Sequence, residues 1–172
     1  MRLFIALLFD EATVEALADI RDSLHDGAVS GSFVPRDNLH LTLEFLGECS
    51  QGERKLAEKT MSALSFGEID ITMDRIGFFQ RPDGDIWWVG VDECKSLMNL
   101  QRDLSSALRE CGFTLEKRKY RPHITLGRRV ITQTRPGAIG PIKTTVREMT
   151  LMLSERGNGR MVYTPIFSVK SE

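Results

Sequence analysis

The sequence predicts a single α+β domain built from two copies of one strand–helix–strand unit. Short apolar segments typical of strands alternate with segments of helical periodicity along the 172 residues. Each unit ends in the pattern His-x-Thr-Leu, "HLTL" at 40–43 and "HITL" at 123–126. Phe4 lies 36 residues before His40, and Trp87 lies 36 residues before His123. The equal spacing indicates an internal duplication.

The first unit runs from the N-terminus to the first histidine pattern. Residues 2–9, "RLFIALLF", form an apolar run of the length of a buried strand. Asp10 then offers an N-cap, and apolar residues recur at helical spacing until Gly27, where we expect the helix to end. A loop should follow, and residues 39–46 should form the strand that carries the histidine.

The second unit repeats this order. Residues 85–91 predict a strand, and four leucines between 97 and 108 predict a helix that Gly112 ends. The second histidine pattern follows. The rest of the chain predicts a helix at 52–64, strands at 68–79, 145–155 and 161–170, a turn at 81–85, a hairpin connection at 156–160, and a loop or linker at 132–143.

Composition limits the classes of protein that this chain can be. A net charge of −1, with 41% hydrophobic and 27% charged residues, is ordinary for a soluble globular domain. No apolar run approaches the length of a membrane span, and Asp10 and Glu11 interrupt the N-terminal run, which predicts a strand and not a signal peptide. The three cysteines have neither paired nor metal-ligand spacing. We therefore expect a reduced, cytoplasmic protein, a monomer without a membrane partner.

Strand alternation predicts which side chains of the two patterns share a face. In the first pattern one face should hold polar groups and the other should face the core. The polar set is His40, Thr42 and Glu44, and the core set is Leu39, Leu41, Leu43 and Phe45. The second pattern similarly places His123 and Thr125 opposite Ile124 and Leu126. If the two units pack as a pseudo-dimer, both imidazole–hydroxyl pairs can face one cleft.

Two imidazoles and two hydroxyls in one cleft suit acid–base catalysis on a phosphate. With an ordinary pKa of about 6.5, one histidine can act as the neutral base while the other acts as the protonated acid. Each proton transfer typically contributes about 10²–10⁴-fold to the rate. Threonine hydroxyls can bond the phosphoryl oxygens, where charge accumulates. No residue spacing suggests a metal site, so we expect catalysis without a metal or other cofactor.

Three further features bear on the cleft, and the last two keep two interpretations each. His25, at the end of the first predicted helix, should interact only with that helix terminus. Trp87 and Trp88 must face opposite sides of their strand, so one could line the cleft and stack on a base, although packing alone is the more frequent role. Residues 117–129 hold six basic side chains and no acid, which fits either a solvated face or a site for an RNA backbone.

The paired patterns resemble the signature of the 2H phosphoesterases. The flanking text "RLFIALLF", "LHLTLEFLGE" and "RPHITLGR" is similar to the branch of RNA 2′,3′-cyclic phosphodiesterases formerly called 2′-5′ RNA ligases. The resemblance implies two lobes, approximately 1–80 and 81–172, with two antiparallel sheets around a central cleft, helices on the outside and the terminal strands open to exchange between lobes. It also implies hydrolysis of a 2′,3′-cyclic phosphate to a 2′-phosphate, on RNA ends or cyclic nucleotides, without a cofactor.

The resemblance also assigns roles to individual residues. It implies that His40 is the general acid and His123 the general base, and that Thr42 and Thr125 bind the phosphate. Arg128 matches a basic residue near the phosphate, although strand alternation points it away from His123 unless Gly127 introduces a bulge. Two other functions stay open: a ligase that runs the reverse reaction at the same site, and a non-catalytic protein that binds RNA in the cleft.

Overall fold

The computed structural model describes residues 1–172 and contains three α-helices and nine strands. The helices are α1 (Glu11–Asp26), α2 (Gln51–Ser62) and α3 (Lys95–Glu110). The strands are β1 (Arg2–Leu7), β2 (Ala28–Phe33), β3 (Leu41–Glu48), β4 (Ile69–Phe79), β5 (Asp85–Val91), β6 (His123–Thr132), β7 (Gly137–Val146), β8 (Glu148–Gly157) and β9 (Arg160–Lys170). A single 3₁₀ turn, Arg36–Asn38, precedes β3.

The strands form two antiparallel sheets, which confirms the predicted α+β class. The first sheet has the order β3-β1-β8-β9, and the second has the order β2-β6-β5-β4-β7. β4 therefore belongs to the second sheet although it comes before residue 80, and the C-terminal hairpin β8–β9 completes the first sheet. A division into two lobes near residue 80 stays a prediction. The two sheets do not correspond to these two ranges, because the chain passes between the sheets several times.

The duplicated unit is visible in the strand pairing. β1 pairs antiparallel with β3, and β5 pairs antiparallel with β6. In each case the strand before a long helix is the neighbour of the strand that begins at or just after a histidine. The two histidine patterns therefore lie at corresponding places, one in each sheet.

The helix ends follow the predicted caps. The Asp10 carboxylate accepts a hydrogen bond from the Thr13 amide at 2.8 Å, which satisfies one free N–H at the start of α1. Gly27 follows the last residue of this helix. Beyond α3, Gly112 has a φ of +99°, and the Phe113 amide bonds the Leu108 carbonyl at 3.1 Å.

One hydrophobic core of 30 buried residues joins both sheets to the helices. α1 packs on β2 and β7, α3 packs on β3 and β4, and α2 packs on α3 and β9. Phe4, Ala6 and Met152 form a separate small cluster, with Leu8 and Tyr163 packed against it. Because these residues alternate with core residues along β1 and β8, they mark the face of the first sheet that the helices leave uncovered.

Two predicted loops are strands. Residues 28–33 form β2, and most of the predicted linker at 132–143 belongs to β7. Both lie at the edges of the second sheet, where a strand needs little hydrophobic patterning and can tolerate a proline such as Pro141. No helix combines the length and the apolar character that a membrane span requires.

Candidate active site

His40 lies just before β3 and is held by two hydrogen bonds. Its Nδ1 is 2.6 Å from the Asn38 carbonyl oxygen, and its Nε2 is 2.8 Å from the Thr42 hydroxyl oxygen. A carbonyl can only accept, so Nδ1 carries the hydrogen. Nε2 then accepts from Thr42 when the ring is neutral, and it is the atom that can take up or release a proton.

Aromatic rings enclose His40 on the uncovered face of the first sheet. The centroid of its ring lies 5.0 Å from that of Phe4 and 5.5 Å from that of Tyr163, to which it is perpendicular. Burial in these surroundings is the main cause that lowers the pKa of His40, and the nearby charges of Arg128 and His123 lower it further. In the free protein His40 is therefore mainly neutral at pH 7.

His123 is the first residue of β6, and its Nδ1 makes a main-chain hydrogen bond that matches the one made by Nδ1 of His40. Its Nδ1 is 2.6 Å from the Arg121 carbonyl oxygen, so this ring also carries its hydrogen on Nδ1 and presents Nε2. Phe79 stands perpendicular to it with ring centroids 5.1 Å apart, and Trp88 lies 6.4 Å away. Burial is the main cause that lowers the pKa of His123, and the charge of Arg128 adds to it.

The two histidines lie close enough for their charges to interact, since a charge on His123 lowers the pKa of His40. Thr125 accompanies His123 on one face of β6, because it pairs with Trp88 while His123 pairs with Gly90. The two imidazole–hydroxyl pairs predicted from strand alternation are thus present, one in each sheet. Together they can exchange two protons with a molecule bound between them.

Arg128 lies where its charge lowers the pKa of both histidines. Strand alternation alone would point it away from His123, but β6 is irregular at this point. Leu126 and Gly127 are both buried, and the pairing of β6 with β5 shifts register beside them. Arg129 next adopts a φ of +52°. The irregular strand explains how Arg128 can act on the same face as the histidines.

Two residues of the first pattern do not follow the predicted alternation. The pairing of β3 with β1 shifts register twice. The shift between Thr42 and Glu44 leaves Leu43 and Glu44 both buried. Glu44 was expected beside His40 but accepts a hydrogen bond at 3.3 Å from Gln101 of α3. Phe45 was expected in the core but is 57% exposed, with its ring 6.1 Å from that of Phe4.

The other candidates from the sequence take different places. Trp87 is a core residue, whereas Trp88 lies beside His123. His25 was expected to interact only with the end of α1; it contacts Asp26 there, but it also packs edge-on against Phe33 of β2.

The basic side chains of residues 117–129 are exposed, and only one of them forms an ion pair, between Arg118 and Glu116 at 2.8 Å. The predicted basic residues are Lys117, Arg118, Lys119, Arg121, Arg128 and Arg129. No group of three or more His, Cys, Asp or Glu side chains is arranged to hold a metal ion.

Reasoning from the sequence missed three aromatic residues near the candidate site, Tyr120, Phe79 and Tyr163. Tyr120 is largely buried, and its hydroxyl donates to the Thr42 carbonyl oxygen at 2.7 Å. Phe79 and Tyr163 each place a ring against one of the two histidines. The only sequence signal for Tyr120 is its place three residues before His123, and Phe79 and Tyr163 offer none.

The sequence is similar to several proteins named RNA 2′,3′-cyclic phosphodiesterase. The protein of Archaeoglobus fulgidus is 36% identical over 132 residues, which cover 74% of this chain and 72% of the relative. The protein of Thermotoga maritima is 33% identical over 131 residues, covering 74% and 70%. The protein of Escherichia coli K12 is 31% identical over 163 residues, covering 89% and 90%.

The fold is similar to that of solved proteins over nearly its whole length. A crystal structure of E. coli LigT complexed with 3′-AMP superposes with a TM-score of 0.88 and 28% identity, covering 99% of this chain and 97% of the other. The sequence model that describes the 2′-5′ RNA ligase superfamily matches residues 9–158. The chain therefore belongs to the 2′-5′ RNA ligase superfamily.

Proposed function

We propose that this protein hydrolyses the 2′,3′-cyclic phosphate of RNA ends to a 2′-phosphate, using His40 and His123 without a metal ion. The observation that carries the proposal is the matched arrangement of the two imidazoles. Each is fixed through Nδ1 by a main-chain carbonyl at 2.6 Å, and each presents Nε2. General acid–base catalysis uses one positioned group that takes a proton and another that gives one, and this arrangement offers both.

In the proposed reaction each Nε2 transfers one proton. The neutral imidazole of His123 takes a proton from water through Nε2, and the water oxygen forms a bond to phosphorus. The bond from phosphorus to the 3′-oxygen breaks, and the protonated Nε2 of His40 gives its proton to that oxygen. The assignment of His40 as acid and His123 as base rests on the resemblance to the 2H phosphoesterases. After turnover, the proton has moved from one histidine to the other, and exchange with solvent restores the starting state.

The phosphate itself helps to prepare the acid. In the free protein, burial and the charge of Arg128 keep the pKa of both histidines low, so neither is mainly protonated at neutral pH. A bound cyclic phosphate brings a negative charge that offsets that of Arg128, which favours a proton on one imidazole. Arg128 can then pair with the phosphate, and the Thr42 and Thr125 hydroxyls can donate to its non-bridging oxygens.

The substrate class is proposed from the relatives. Proteins about one third identical are named RNA 2′,3′-cyclic phosphodiesterase, and the similar E. coli LigT has been crystallised with 3′-AMP. The exposed arginines and lysines of residues 117–129 suit an RNA strand that continues beyond the terminal phosphate. We propose no cofactor and no partner protein for this reaction.

A turnover assay on 2′,3′-cyclic mononucleotides tests the proposal. The protein should convert them with multiple turnovers, and a variant in which both His40 and His123 are replaced should not. Absence of turnover on all four nucleotides and on an oligonucleotide with a cyclic end would reject hydrolysis. Incubating that oligonucleotide with an RNA that has a free 5′-hydroxyl would reveal ligation, since the same groups can catalyse the reverse direction.

A further inference from the structure

Tyr120 links the two histidine patterns through one buried hydrogen bond. Its hydroxyl donates to the main-chain carbonyl oxygen of Thr42 at 2.7 Å, across 78 residues of sequence. Burial raises the pKa of Tyr120, so the hydroxyl keeps its proton at any pH at which the histidines titrate. The bond therefore persists throughout the working range of an imidazole pair.

The residues at the two ends of this bond are directly connected to the hydrogen bonds that hold the histidines. Thr42 donates its own hydroxyl to Nε2 of His40 at 2.8 Å. Arg121, which follows Tyr120, accepts the Nδ1 hydrogen of His123 at 2.6 Å. A movement of Tyr120 relative to Thr42 would consequently change the orientation of both imidazoles.

A second hydrogen bond joins the chain before the first pattern to the second pattern. The amide of Val34, which lies before His40 in the chain, donates to the carbonyl of Leu126 in β6 at 2.8 Å. The segment leading to each histidine is thus bonded to the residues that follow the other histidine. This second bond joins two main-chain groups, so of the two bonds only the one from Tyr120 can be removed by replacing a side chain.

We propose that Tyr120 is a positioning residue that fixes the two histidines relative to each other. The inference rests on the proposed function for its effect on rate, but the positioning itself is independent of the substrate. Tyr120 makes no contact with the reacting atoms in this scheme. It acts through the Thr42 carbonyl on one side and through the Arg121 carbonyl on the other.

The variant Tyr120→Phe tests this proposal, because it removes the hydroxyl and keeps the ring. Small displacements of reacting groups can cost up to about 10²-fold in rate, so we expect kcat on a cyclic mononucleotide to fall by about 10–10²-fold. KM should change little, since Arg128 and the threonine hydroxyls remain. The matched control is Thr60→Val, which removes another hydroxyl that is bonded to a carbonyl, that of Leu56, inside α2.

Imidazole NMR gives a readout that does not depend on turnover. The chain has three histidines, so their ring signals are few, and His25 at the end of α1 serves as an internal reference. In Tyr120→Phe the signals of His40 and His123 should both shift, and those of His25 should not. In Thr60→Val all three should match the wild type.

The outcomes separate the two proposals. Shifted signals for both site histidines support the positioning role, even if no cyclic phosphate is hydrolysed by the wild type. Unchanged signals together with unchanged kcat in a folded variant would overturn it. Loss of fold in Tyr120→Phe would overturn it too, because the hydroxyl would then determine the fold and not the site. A fall in kcat equal to that of Thr60→Val would indicate a general effect of stability, which contradicts positioning.

Discussion

Replacing each site histidine by asparagine should separate proton transfer from structure. The asparagine amide nitrogen can take the place of Nδ1 and donate to the carbonyl that lies 2.6 Å away in each case. It has no group in the place of Nε2. His40→Asn and His123→Asn therefore keep the main-chain contact and lose the part of the ring that contains Nε2, the atom that exchanges a proton.

The expected losses follow from these contacts. Each variant should lose about 10²–10⁴-fold in kcat, the usual contribution of one proton-transferring group. That corresponds to about 2.7–5.4 kcal/mol of barrier. His40→Asn also loses its hydrogen bond from Thr42, which should cost about 1 kcal/mol of stability. The double variant should be little slower than the slower single variant, because the two groups act as a unit.

The assay is single-turnover hydrolysis of a cyclic mononucleotide, together with thermal unfolding of each variant. His25→Asn is the control, since His25 lies at the end of α1, where it contacts Asp26 and Phe33 and neither site histidine. It should retain the wild-type rate. Near-normal turnover in folded His40→Asn or His123→Asn would refute the reasoning for that histidine, and multiplicative losses in the double variant would refute their joint action.

Two further predictions concern charge. In the free protein the pKa values of His40 and His123 both lie below 6.5, so kcat/KM should be highest on the acidic side of that value and fall as the acid deprotonates at higher pH. Arg128→Gln removes a positive charge that lowers both pKa values, so the pH profile of kcat/KM should move to higher pH in this variant. An unmoved profile would contradict the role of that charge. For an oligonucleotide with a cyclic end, log KM should rise with log salt at about 0.7 per phosphate contact, and by much less for the mononucleotide. Lys117→Ala/Lys119→Ala should reduce the oligonucleotide slope, and equal slopes for both substrates would make these lysines part of an ordinary solvated surface.

The sequence was sufficient for those parts of the candidate site that depend on local pattern. Each His-x-Thr pattern predicts an imidazole beside a hydroxyl, because alternation over two residues is reliable on a strand. The caps of α1 at Asp10 and Gly27 were equally local and were confirmed. Strands with strong apolar patterns, such as β1 and β5, were found close to their observed bounds.

Alternation over longer distances failed where the strands contain bulges. Glu44 and Phe45 exchange faces because β3 shifts its register against β1, and nothing in "HLTLEFLG" marks where the extra residue lies. The same effect at Gly127 alters the direction of Arg128. A strand's pairing partner decides such irregularities, and that partner is far away in the sequence.

Edge strands and long-range contacts were also beyond prediction from pattern. β2 and β7 are partly exposed on both faces, so they carry little of the alternation that identifies a strand. The bond between Tyr120 and Thr42 joins residues 78 positions apart, and a tyrosine gives no sign of its partner. The aromatic residues around each histidine come from other strands for the same reason.

The central claim is that two histidines open a 2′,3′-cyclic phosphate by acid–base catalysis without a metal ion. The most direct measurement is ³¹P NMR of a cyclic mononucleotide incubated with the protein in excess EDTA, which follows the rate and identifies the product at once. We predict a 2′-phosphate as the single product, formed at the same rate with and without EDTA. A 3′-phosphate product, or activity that EDTA abolishes and a divalent cation restores, would contradict the claim.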